Sequence, residues 1–324
     1  MQVVVAVDEA GYGPRLGPLV IAATIWQTPD GESLALADQR ARRLLDAGNH
    51  KEQRRLRLTD SKKAYRGHRR RWADLEYDVL GAWAYLQESP QSWRELWSKV
   101  ATDEPDTWRD LPWYATYDRA LPIEIDARQT AEAAAQWSWL ARQADLHLIA
   151  IKLYALFPES WNQRLVVQNK AEILAESTLR LVRESLAVPE AASCPQGTVV
   201  CDHLGGRKYY AALIQQFLSA SWVEIVSETA LASHYRLGNT DGKIFQILFQ
   251  VSADAQLSLV GFSSMVAKYV RELAMAAFNG YWQERIPGLR PTAGYPADAE
   301  RFIQQVADQC RRLGVRAEQW IRQR

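Results

Sequence analysis

Apolar and polar positions along the chain fall into segments of two kinds, some alternating or continuous like strands, others with helical spacing. Val3–Val7 is a run of five small apolar residues, and Leu19–Trp26 is apolar again, with Gly11, Gly13, Pro14, Gly17 and Pro18 between them. This predicts two buried strands over 2–8 and 18–26 joined by a Gly/Pro turn. Helical spacing predicts helices over 34–47, 65–75 and 128–143, while the apolar run 77–86 predicts a strand. Another strand is expected at Leu146–Leu156, then a helical zone over 159–187 broken near Gln168. Val199–Cys201 is a short buried strand ending at Asp202. Helices follow over 208–219, 257–284 and 297–312, and strands over 222–228 and 244–251. Strands alternating with helices point to an α/β sheet.

No repeat or low-complexity tract divides the chain, so residues 1–324 are expected to form one domain, with a closing helical segment at about 291–324. The stretch 88–127 departs from the pattern. It holds Trp93, Trp97, Trp108, Trp113 and four prolines, and reads as an insertion packed by its own aromatics. Most of the 13 tryptophans sit beside apolar residues at regular spacing, which is the mark of core packing.

Composition then narrows the class. Hydrophobic content of 48% with 24% charged residues describes a soluble globular chain. No apolar run reaches the ~20 residues that span a bilayer, so no membrane partner is expected. The chain opens directly on a strand rather than on a leader pattern. The three cysteines have no metal spacing and fit a reducing compartment, so a cytoplasmic protein is expected. The net charge of +1 is low for a dedicated nucleic-acid binder. It is also uneven: Lys51–Arg71 holds seven arginines and three lysines against two acids. That run is either a solvated face or a local basic surface.

The chemistry lies in acids placed where cores end. Asp8 and Glu9 close an apolar strand, and neighbours on a strand point to opposite faces. Both reach one site only if the strand ends or bulges there, and Gly11 and Gly13 give the backbone that freedom. Asp202 closes a second apolar strand. Glu272 lies in a largely apolar helix. Each position also has an ordinary explanation, as a cap or as a solvated acid. Brought together, four carboxylates repel and stay partly protonated unless cations neutralise them. Two Mg²⁺ or Mn²⁺ ions would make them a hard-oxygen site suited to phosphoryl transfer. His/Cys clusters with zinc spacing are missing from the sequence.

Several stretches in one order along the chain carry a resemblance. Val7–Val20 (VDEAGYGPRLGPLV), Asp60–Lys63 (DSKK), Asn169–Leu174 (NKAEIL), Val199–Asp202 (VVCD), Ser264–Glu272 (SMVAKYVRE) and Gly294–Pro296 (GYP) resemble the motifs of ribonuclease HII, in the type 2 ribonuclease H family. Its opening motif reads D-E-A-G-R-G-P, and its later helix reads S-I-V-A-K-V-T-R-D. The resemblance implies a ribonuclease H-like fold, with a central mixed five-stranded sheet flanked by helices. It implies cleavage of RNA in RNA/DNA hybrids or at ribonucleotides embedded in DNA, leaving 5′-phosphate and 3′-hydroxyl ends. It implies Asp8, Glu9, Asp202 and Glu272 as catalytic metal ligands. For nucleic-acid contact it implies Gly11, Tyr12, Gly13, Lys62, Lys63 and Tyr295. A monomer is expected.

The sequence departs from the family at the contact positions. Tyr12 stands for the Arg of G-R-G, Gln256 for the Lys of a G-D-A-K segment aligned with Ala253–Gln256, and Thr292-Ala293 for the H-K before G-Y. The loop Asp202–Lys208 (DHLGGRK) adds a Gly-Gly turn with Arg207 and Lys208, which suits close approach to a phosphate or is a plain strand-to-helix turn. His203 is a candidate for donating to a metal ligand rather than being one. Two other readings stay open: a metal nuclease for structured DNA, and a hybrid-binding protein with weak catalysis.

Overall fold

A computed structural model of the protein describes residues 1–47, 56–58, 71–103 and 107–323. Among them, eight strands form one mixed sheet. These are β1 (Gln2–Ala10), β2 (Leu19–Thr28), β3 (Val100–Thr102), β4 (His147–Leu156), β5 (Gln196–Asp202), β6 (Trp222–Glu228), β7 (Ala232–Gly238) and β8 (Ile244–Gln250). Their order across the sheet is β3-β4-β2-β1-β5-β8-β7-β6. The centre is β1, antiparallel to β2 and parallel to β5, which is itself parallel to β8.

The expected α/β class is therefore present, in a sheet wider than the five strands expected. The short β3 escaped the sequence pattern. So did β7, where ASHYRLG mixes polar and apolar residues because only its Ser233, Tyr235 and Leu237 turn inward to burial.

Alternation along β1 builds two cores. Val3, Val5 and Val7 face one side, packed with helices Pro158–Leu165 and Lys170–Leu186 and the helix Ala211–Phe217. Val4 and Ala6 face the other, where the 28-residue helix Ser258–Arg285 lies across the sheet. Hydrogen bonds fix that helix in place. Ser263 Oγ donates to Ala6 O at 2.8 Å and meets Thr24 Oγ1 at 2.7 Å. The first turn of the helix lacks a cap of its own. Buried Asp38, from the helix Leu34–Ala47, supplies one by accepting from Ser258 N at 2.6 Å, and carboxylates suit helix N-termini.

The run expected as a strand over 77–86 is helical, within Arg71–Tyr85. Residues Leu75 to Trp83 are all buried, so this helix is covered nearly all round and its pattern is that of any buried segment. Gly81 lets it close on helix Ala127–Ala144: a Cβ there would lie 2.4 Å from Ala133 Cβ. The described tryptophans of 88–127 are buried at 0–3% exposure. Trp93 stacks on Tyr114 at 5.4 Å, and Trp113 meets Phe278 edge-on at 5.1 Å. This segment packs onto the long helix, and Trp93 Nε1 donates to Leu273 O at 3.2 Å.

Helix Arg71–Tyr85 carries two buried acids. Glu76 accepts from the backbone N–H groups of Ile123, Glu124 and Ile125 at 2.7, 2.6 and 3.2 Å, and from the Tyr269 hydroxyl at 3.0 Å. Asp78 is less well served. Burial pushes its carboxyl up to about 8, against the pull of Arg57, whose Nε lies 3.4 Å away. A folded-state pKa above the unfolded one gives stability that is present in acid and lost as pH rises through about 8. The melting temperature of the wild type is expected to fall between pH 7 and pH 9 more steeply than that of Asp78→Asn. Parallel curves for the two proteins would show that Asp78 does not titrate there.

Candidate active site

β1 runs on as a strand through Asp8 and Glu9, opposite Ala22 and Ile21 of β2. On its other side β5 keeps pace, with Val7 beside Cys201, so that Asp202 closes β5 next to Asp8. Parallel strands carry their acids to the same end of the sheet. Asp202 has backbone partners: its Oδ1 accepts from His203 N at 2.9 Å and from Ala253 N at 3.1 Å. The second of these holds the single-turn helix Ala253–Gln256, which follows β8. Asp254 sits on that turn, only 6% exposed.

These elements open onto a cavity of about 440 Å³. Asp8, Glu9, Asp202 and Asp254 line it, together with the loop Ala10–Gly13. The long helix supplies Ser264, Lys268 and Arg271, and Tyr295 closes the rim. Ser264, Lys268 and Arg271 are spaced i, i+4 and i+7, one face of a helix.

The electrostatics follow from crowding. Burial holds the Asp8 carboxyl well above the usual carboxylate range, and the charge of Glu9 pushes it the same way. A hydrogen bond with Ser264 opposes them, while Asp202 and Asp254 add to the rise. Opposite charge comes from the helix. Arg271 is 2% exposed and is spent on backbone carbonyls, donating to Pro18 O at 3.3 Å and to Leu16 O and Ala293 O at 3.1 Å. Gly11 (φ +93°) passes so close that a Cβ would lie 2.4 Å from Arg271 Nε, which only glycine permits. Arg322, from the segment after the last long helix, reaches the same loop. Burial, then the charge of Arg271, pulls its pKa down to about 9.

Of the residues expected from sequence, Asp8, Glu9, Asp202, Gly11, Tyr12, Gly13 and Tyr295 come together around the cavity. Glu272 does not. It lies one turn past Lys268, at the edge of the face that carries Ser264, Lys268 and Arg271, is not among the residues lining the cavity, and is ion-paired with Lys268. Asp254, in the segment Ala253–Gln256, lines the cavity as a further acid that the sequence reading did not single out. Arg207 and Lys208 lie on the loop after β5 and do not line the cavity. Arg207 faces Glu172 at 3.8 Å, and the Lys208 carbonyl accepts from Ser233 Oγ at 2.6 Å. Burial, aided by Lys208, lowers the His203 pKa against the charge of Asp202. Lys62 and Lys63 lie outside the described residues.

The chain is thus an α/β protein with helices on both faces of a mixed sheet and acids gathered near the ends of its central parallel strands. It is similar to solved structures of ribonucleases HII and HIII. Against the ribonuclease HII of Archaeoglobus fulgidus, from its complex with PCNA, it is 12% identical, covering 99% of this chain and 94% of that one, with a TM-score of 0.46. Against ribonuclease H2 of Pyrococcus horikoshii it is 15% identical, covering 98% and 92%, with a TM-score of 0.48. Against Bst ribonuclease HIII in complex with Mn²⁺ it is 12% identical, covering 99% and 66%, with a TM-score of 0.43. No protein-family model matches the sequence. No curated protein matches it either.

Membership of the acid cluster can be measured without assuming any activity. In a carbon-detected NMR titration of the metal-free protein, Glu9→Gln is expected to lower the Asp8 pKa most. Asp202→Asn and Asp254→Asn should lower it less, and Glu272→Gln should leave it in place. A fall with Glu272→Gln but none with Asp254→Asn would return Glu272 to the cluster.

Proposed function

We propose that this chain is a divalent-metal-dependent endonuclease of the ribonuclease HII type. It cuts RNA paired with DNA, or a ribonucleotide embedded in DNA, and leaves 5′-phosphate and 3′-hydroxyl ends. The observation that carries this reading is the lining of one cavity by Asp8, Glu9, Asp202 and Asp254 beside a Gly-Tyr-Gly loop.

The donor set fits Mg²⁺ or Mn²⁺. It is all oxygen, as hard cations prefer, and the upward push on Asp8 from three neighbouring carboxylates is the strain that cations relieve. Among the described residues, no three His, Cys, Asp or Glu side chains are already gathered around one point, so closing on an ion takes side-chain rotation. Asp8, Glu9, Asp202 and Asp254 would hold the ions. When bound, such ions supply a hydroxide at neutral pH and stabilise charge on a leaving oxygen.

The chain's own groups account for binding. Gly11 and Gly13 let backbone approach a sugar closely. Tyr295, 54% exposed, offers a flat face to the ribose or base. Lys268 brings positive charge to the wall, and Glu272 holds it there. Lys62 and Lys63, and also Arg207 and Lys208, would meet phosphates along the duplex. A cytoplasmic setting fits this role; among the described residues, no helix is long and apolar enough to cross a membrane.

Three duplexes test the reading, each with Mg²⁺ or Mn²⁺: one with a single embedded ribonucleotide, one RNA/DNA hybrid and one of plain DNA. Cleavage of the first two, lost on chelation and reduced at least about a thousandfold in Asp8→Asn, is the expected outcome. Cutting of plain DNA alone would favour the structured-DNA nuclease. Wild-type cleavage by Asp8→Asn would remove the acid cluster from the chemistry.

A further inference from the structure

The loop Gly11–Pro18 is held from beneath by the segment 315–323. Leu16 and Ile321 pair in an antiparallel bridge. Arg322 N donates to Arg15 O at 2.8 Å. Asn162 anchors the segment by donating to Glu318 O at 3.2 Å and Ile321 O at 2.8 Å, and by accepting from Gln323 N at 2.7 Å. These contacts use backbone atoms of the segment, so they do not require an arginine at 322.

The Arg322 side chain does something else. It is 2% exposed, donates through Nη2 to the Gly11 carbonyl, and lies over the Trp161 ring at 5.1 Å. Trp161 in turn meets the edge of Tyr12 at 6.3 Å. Its Nε and Nη1 are buried with no hydrogen-bond partner, and among the described residues no carboxylate pairs with it. A buried guanidinium with idle donors destabilises a fold, and an apolar side chain of similar length would cost less. Stability therefore does not account for an arginine here.

We propose that Arg322 is a positioning residue, fixing the Gly11–Gly13 loop from below by holding the Gly11 carbonyl and the Trp161 ring at once. Trp161 backs Tyr12, so the same side chain sets both the backbone and the ring that face the cavity. A residue more than 300 positions away in sequence (|i−j| of 311 to Gly11) thereby shapes the substrate-facing loop. The word substrate rests on the nuclease reading above; the hold on the loop does not.

Arg322→Met keeps the length and removes charge and donors; Arg322→Lys keeps the charge. In hydrogen exchange of the full chain, the peptide spanning 8–18 should exchange about tenfold faster or more in Arg322→Met. It should be intermediate in Arg322→Lys. Peptides from helix Ser258–Arg285 should not change, and the melting temperature should hold or rise. On the duplex with one ribonucleotide, Arg322→Met should raise KM about tenfold with kcat within a few-fold of wild type. An unchanged 8–18 peptide would overturn the proposal. So would a lower melting temperature with reduced kcat and unchanged KM, the mark of lost folded protein. If the peptide loosens as expected but the wild type cuts none of the duplexes, the hold on the loop stands and the nuclease reading falls.

Discussion

The mutual repulsion of carboxylates at one end of the sheet is the constraint on which the rest of the structure depends. Acids this crowded would separate if their backbones could move. They cannot, because Asp8, near the end of β1, and Asp202, closing β5, sit on adjacent strands locked in parallel register by Val3–Val7 and the residues opposite them. Asp254 is tied in through the hydrogen bond from Ala253 N to Asp202. The apolar core on both faces supplies the stability that holds the charges together, and the Asp8 carboxyl is pushed up by burial first and by the charges of Glu9, Asp202 and Asp254 after it. A fold that keeps such a cluster is prepared for positive charge.

The other half of the cavity depends on the long helix and on what braces it. Asp38 caps its start, Ser263 pins it to β1, and aromatic contacts run from its far end in two directions. One reaches the tryptophan-rich segment through Trp113 and Phe278; the other reaches Trp320 through Phe278 and Trp282. The inserted segment and the segment carrying Arg322 thus lean on the same helix that presents Ser264, Lys268 and Arg271 to the cavity. The aromatic packing is far from the acids but fixes the wall that faces them.

Much of this was legible in the sequence, and the gaps have physical causes. An apolar run that ends in an acid made Asp8, Glu9 and Asp202 candidates, and because a cap or turn explains such an acid too, it was the family motifs around them that singled them out. The strand 77–86 was misread because a helix buried on every side shows no helical period. Glu272 was expected at the site from its motif, and an apolar helix does not declare which face it turns to a cavity. The face is set by Ser264, Lys268 and Arg271, and only packing against β1 selects it. Asp254 carried a signal of its own: like Asp202, it follows an apolar strand within a few residues, here after a left-handed turn at Ser252. Arg322 carried none, since its bond to Gly11 joins positions at opposite ends of the chain.

The central claim is that four carboxylates are held under repulsion that divalent cations relieve. Titrating Mn²⁺ into the metal-free protein, with binding followed by calorimetry and stability by thermal melting, tests it directly. The account predicts that binding raises the melting temperature of the wild type and that Asp254→Asn weakens both effects while Glu272→Gln leaves them nearly intact. Saturating Mn²⁺ that neither binds nor shifts the melting temperature would contradict it.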